Sequence, residues 1–123
     1  MLKVHNRNLG NIAILCLQGR LVTGETAALR NAVHSQSEVS AVVLDFARVN
    51  TIDAAGLGVM LELREEIESK GIEFRLTNVT KLVRRVLELT HLDSVFEITP
   101  GKKVLAAGTF GRATSVIELA SCA

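Results

Sequence analysis

Tryptophan and tyrosine are absent from this 123-residue chain, and four phenylalanines make up its whole aromatic content. Single-strand nucleic-acid binding relies on several exposed rings against which bases stack. Four Phe that a core also needs do not supply that platform. An excess of one charge is missing as well: 14 Lys and Arg stand against 13 Asp and Glu, a formal net charge of +1. That balance exerts no broad pull on nucleic acid or acidic membranes. Cysteine is scarce. Cys16 and Cys122, at opposite ends of the chain, do not read as a disulfide scaffold, and Cys16 in its apolar run reads as a reduced, inert thiol. The histidines His5, His34 and His91 pair with no cysteine at metal-ligand spacing. No apolar run approaches the roughly 18 residues of a membrane span, and the stretch from Met1 to Asn11 lacks a signal peptide's apolar core. These absences lead to the expectation of a soluble, reduced, cytoplasmic domain with no cofactor, no metal and no nucleic-acid partner.

What is present is a large apolar fraction, 48%, enough for one domain with its own core. Leu2 to His5 alternates and precedes the continuous apolar run Ile12–Leu17, which predicts a hairpin turning around Gly10. After Gly19, a loop through Gly24 leads to a predicted helix over 25–35, with Thr23 as candidate N-cap and Leu29, Ala32 and Val33 facing inward. Residues 41–46 read as a second buried strand with Asp45 near its end. Asp53 stands before a helix running to about Lys70, which Gly71 ends; Leu57, Met60, Leu61 and Ile67 form its apolar face, and Glu66 and Lys70 an i,i+4 pair. Residues 72–76 alternate strictly, as a strand with one wet face or near an edge does. A third helix is expected over 80–90, with Leu82, Val83, Val86 and Leu87 inward and Arg84 and Arg85 outward. Phe96–Ile98 reads as a last short strand. The order β-β-α-β-α-β-α-β predicts an α/β fold: a mixed sheet with parallel βαβ units and helices packed against it. The domain is expected over residues 1–100. A tail over 101–123 follows, in which 102–107 and 113–120 could form short helices.

No catalytic constellation emerges. The glycines Gly56 and Gly58 complete neither a dinucleotide fingerprint nor a phosphate loop. The turn at Asp53 could hold an anion on its backbone N–H groups, but an Asp there more simply caps the helix itself. No serine sits in a nucleophile elbow, and Asp45 lacks a second carboxylate. The chain is not expected to be an enzyme.

The segment Ala41-Val42-Val43-Leu44-Asp45-Phe46, followed by Val49-Asn50-Thr51-Ile52-Asp53-Ala54-Ala55-Gly56-Leu57-Gly58, resembles the STAS domain of anti-sigma factor antagonists. Leu15-Cys16-Leu17-Gln18-Gly19-Arg20-Leu21 is similar to the family's strand and Gly-x-Leu turn. The likeness continues through Gly71-Ile72 and Leu82–Leu87 to Phe96-Glu97-Ile98. The resemblance implies bacterial signalling in transcription regulation: the antagonist binds an anti-sigma factor that is also a serine kinase, and so frees a sigma factor. In such relatives a serine between the Asp and the Gly-Leu-Gly is phosphorylated and the complex breaks. Here that position is Ala55, its neighbour is Ala54, and Val22 stands where many relatives carry Asp. Alanine has no hydroxyl, so the resemblance implies a module whose usual switch is lost. Thr23, Thr26 and Thr51 remain as other hydroxyls. The partner surface it implies comprises Gly19, Arg20, Val22, Thr23, Thr51, Asp53, Ala54, Ala55, Gly56 and Leu57. The alternatives are a STAS subunit of a lipid or solute transport complex, and a scaffold or ligand-binding STAS module. A homodimer is left open.

Overall fold

The computed structural model describes residues 1–99, together with the backbone at 103–105 and 116–118. The first two strands, β1 (Lys3–Leu9) and β2 (Ile12–Leu21), form an antiparallel hairpin. Helix α1 (Thr26–His34) leads to the long strand β3 (Ala41–Ile52), and helix α2 (Ala54–Glu68) to β4 (Glu73–Thr77). Helix α3 (Lys81–Leu89) precedes β5 (Glu97–Thr99). The five strands form one sheet in the order β1-β2-β3-β4-β5, with all pairs after the first parallel. Helix-linked crossovers account for the parallel pairs, since parallel neighbours cannot be joined by a tight turn.

Register divides the side chains between two faces. Leu15 and Leu17 of β2, with Val42, Leu44 and Phe46 of β3 and Phe74 and Leu76 of β4, join the buried residues of all three helices in the main core. On the opposite face Ile12, Ile14, Cys16, Ala41 and Val43 form a second buried cluster, with Leu9 packed against it. Strands buried on both faces carry continuous apolar runs, as β2 and β3 do. Helices α1 and α2 are tied side by side by Arg30 to Glu62 and by His34 Nε2 to Glu66 at 3.0 Å.

Several expectations are corrected. Thr23 does not cap α1; Glu25 holds that position without a side-chain cap bond, and its carboxylate accepts the N–H of Leu2 instead. Leu82 is 53% exposed, because the buried stripe of this short helix is Val83 and Leu87 and a neighbour lies about 100° around the axis. Glu66 pairs with His34 and not with Lys70, which falls beyond the last turn of α2; the i,i+4 pair on that helix is Arg64 with Glu68 at 3.2 Å. Strand β4, expected to have one wet face or to lie near an edge, is next to the edge strand β5, with Glu73 and Arg75 half-buried. Asp45 lies within β3 and is buried, accepting from Ala47 N at 2.9 Å and Asn78 Nδ2 at 3.0 Å. Cys16 is not a reduced thiol but disulfide-bonded. In the tail, Lys103–Leu105 and Val116–Glu118 pair as antiparallel strands where short helices were expected. The rest of those two stretches lies outside the described residues.

Candidate functional site

The carboxyl ends of β2 and β3 place two segments side by side: the loop leading to α1 and the first turn of α2. Asp53 joins them. As N-cap of α2 it adopts an extended backbone, and its Oδ1 accepts from Gly56 N at 3.0 Å. Its Oδ2 accepts from Thr23 N at 3.0 Å and from Thr23 Oγ1 at 3.1 Å. The Asp53 N–H in turn donates to the Leu21 carbonyl at 3.3 Å. One carboxylate thus serves a helix start and a loop 30 residues earlier. The Thr23 backbone N–H, followed by that of Gly56, holds the Asp53 carboxyl below the usual carboxylate range. Because this carboxylate occupies the helix start, the N–H groups there already have their anion. The geometry offers no support for a separate anion pocket.

Close packing needs the next residue to be glycine. A Cβ on Gly56 would overlap the Leu21 carbonyl oxygen and lie 3.1 Å from Ile52 Cγ1. The first turn of α2 therefore rests directly on the end of β2. Leu57 is buried behind it in the main core. Gly19 has a positive φ of 113°, and a Cβ there would strike the Met1 carbonyl. Gly56 and Leu57 thus support the surface from behind, with Gly19 part-buried beside it.

The outward residues are Arg20, Thr23 and Ala54, with Val22, Thr51, Asp53 and Ala55 part-buried among them. Arg20 and Thr51 are register partners across β2 and β3, and Thr51 Oγ1 lies 3.2 Å from Asn50 Oδ1. The ten expected positions thus lie at one end of the sheet, eight exposed or part-buried, Gly19 among them, and Gly56 and Leu57 buried beneath. Gly58 was not among them and lies on the same surface. It is exposed one turn after Ala54, and a Cβ on it would meet nothing within 4 Å. A mid-helix glycine costs about 1 kcal/mol relative to alanine, and no internal contact calls for it here. That cost was the available signal. Among the described residues no three His, Cys, Asp or Glu gather as a metal site, and no helix is long and apolar enough to cross a membrane.

A family model described as "STAS domain" matches residues 3–104. The chain belongs to the STAS domain family. Within it, the chain is a non-enzymatic regulatory module resembling the anti-sigma factor antagonists. A protein of Bordetella bronchiseptica named as an anti-sigma factor antagonist, BtrV, is 27% identical over 108 residues, covering 86% of this chain and 93% of that protein. A crystal structure of a Thermotoga maritima protein described in the same way is 27% identical with a TM-score of 0.66, covering 77% of this chain and 84% of the other. An anti-sigma factor antagonist from Mycobacterium paratuberculosis shares the fold, with a TM-score of 0.71 at 20% identity over 80% of this chain and 85% of that one.

Proposed function

We propose that this STAS domain is a cytoplasmic antagonist that binds an anti-sigma factor of serine-kinase fold through the start of α2 and the Arg20–Thr23 loop, and that no serine switch releases it. The observation that carries this reading is the Asp53 bridge between Thr23 and Gly56, which fixes loop and helix start as one surface. On that surface Ala54, Ala55 and Gly58 present almost no side chain, so a partner's backbone can approach closely. A phosphate at residue 55 would add about 1.5 to 2 negative charges against a docking surface. Ala55 cannot accept one, and the surface keeps a single state.

The test is titration with an anti-sigma factor of the same genome, with and without ATP. The reading expects a complex whose affinity ATP leaves unchanged and whose antagonist keeps its unmodified mass. Stoichiometric phosphate on Thr23 or Thr51 would overturn the loss of the switch. Absence of binding to every anti-sigma factor, with recovery instead in a transport complex, would overturn the assignment. Sedimentation of the free chain decides the homodimer.

A further inference from the structure

Helix α3 is apolar over more of its surface than the sheet uses. Val83 and Leu87 are fully buried in the main core, and Val86 packs against it part-buried. At about 100° per residue, Val86 lies roughly 60° from Val83 around the axis, Leu82 about 40° further on, and Leu89 about 20° beyond that. The apolar arc therefore continues past the buried stripe and out into solvent. Leu82 is 53% exposed and Leu89 68%, and apart from Met1 no other large apolar side chain among the described residues is exposed. Arg85 and Lys81 come next around the axis, ahead of Glu88, the one acid of the helix, and all three are exposed. Among the described residues neither Lys81 nor Arg85 forms an ion pair.

We infer that the stripe of Leu82, Val86 and Leu89 is a docking site for an acidic amphipathic helix of a partner protein. The three side chains recur at i, i+4 and i+7, the spacing with which one helix lays its apolar face against another. Leu82 and Leu89 stand about 10 Å apart along the axis, two full turns. Lys81 and Arg85 border the outer edge of the stripe without carboxylates of their own, so an incoming helix with acidic flanks supplies the missing charge. Rim charges of this kind set partner choice and association rate. A second copy of this chain fits poorly. A two-fold axis through the stripe would set Arg85 against its own copy, and each α3 brings Lys81, Arg84 and Arg85 against Glu88 alone. A lipid surface fits poorly as well, because interfacial helices anchor through Trp and Phe alongside Leu. Here Phe46, Phe74 and Phe96 are buried and the chain has no Trp. This inference does not rest on the anti-sigma reading, since none of the ten positions at the start of α2 lies on α3.

The experiment follows the amide NMR signals of the full chain during titration with a soluble helical peptide that carries leucine at i, i+4 and i+7 and glutamate beside them. A second peptide has lysine in place of the glutamate. The expected shifts fall on residues 81–90, and the glutamate peptide binds at least about tenfold more tightly than the lysine peptide, by a margin that salt narrows. Leu82→Ser combined with Leu89→Ser should weaken the glutamate peptide by about tenfold or more. Tm should stay within a few degrees, because both side chains are exposed. Lys81→Glu combined with Arg85→Glu should reverse the preference between the peptides, and Ala55→Asp should bind both as wild type does. Equal affinity for the two peptides, no binding of either, or shifts away from α3 would overturn the inference. So would binding to phosphatidylglycerol vesicles, lost in the double leucine variant, without a response to the glutamate peptide, which makes a membrane the occupant. A dimer of the free chain that the same variant dissolves would make a second copy the occupant and overturn it too.

Discussion

Helices α2 and α3 both start with a side-chain cap, and the two caps do different things. Thr80 closes on its own helix alone, accepting from Val83 N at 3.3 Å. Asp53 closes on α2 and also binds Thr23 through two donors. The first is an ordinary helix end. The second is a junction, in which capping, loop position and the approach of helix to strand depend on one residue. A surface built on a junction is preorganised, and preorganised surfaces lose less entropy on binding. The same contrast appears in the leucines near the two starts: Leu57 is buried behind the junction, while Leu82 is exposed.

The leucine pair gives the largest expected effect. Leu57→Ala should cost about 2 to 5 kcal/mol of stability, and Leu82→Ala less than about 0.5 kcal/mol, by denaturant unfolding. Next comes Gly56→Ala, whose methyl has no room against the Leu21 carbonyl. It should lose about 1 to 3 kcal/mol, with affinity falling alongside as the helix start is displaced. Thr80→Ala should cost about 1 kcal/mol and leave binding untouched, since that cap reaches nothing outside α3. Gly58→Ala should do the opposite, gaining about 0.5 to 1 kcal/mol of stability while weakening the complex. Unchanged affinity for Gly58→Ala would remove that residue from the interface.

The junction also has a pH signature. Hydrogen bonds from Thr23 and Gly56 depress the folded-state pKa of Asp53, so its contribution is complete above the ordinary carboxylate pKa near 4. The contribution is lost as pH falls through the lower folded value. Melting temperatures of wild type and Asp53→Asn should therefore differ by a constant amount above about pH 5 and converge below about pH 4. A difference independent of pH would mean that the charge contributes nothing.

The continuous apolar runs at 12–17 and 41–46 made β2 and β3 legible in the sequence, because strands covered on both faces admit few polar residues. Asp53 was legible as a cap by the chemistry of its side chain, whereas Thr80, expected as the first residue of α3, caps it instead. Thr23 was not legible, because its partner is 30 residues away and nothing local distinguishes a capping Thr from one donating to a remote carboxylate. Glu66 failed for a related reason: the i,i+4 rule supplied Lys70, whereas packing of α1 on α2 supplied His34. Leu82 shows the limit of periodicity on a nine-residue helix, where a stripe of two buried residues is all the sheet requires. The ten positions expected for the site came from the family pattern. That Gly56 and Leu57 are buried beneath the other eight, and that Gly58 lies on the same surface, needed the geometry.

The central claim is that the start of α2 is a docking surface held rigid by the Asp53 junction. The most direct test is Ala55→Asp, measured by calorimetric titration against the anti-sigma factor with a melting curve alongside. A carboxylate in the first turn meets the positive end of the helix dipole, so Tm should stay within a few degrees of wild type. At a docking surface the same charge is desolvated without a partner and costs on the order of 2 to 5 kcal/mol. Affinity should therefore fall roughly thirtyfold or more. Wild-type affinity in a folded Ala55→Asp variant would contradict the account, because the partner would then have to bind elsewhere.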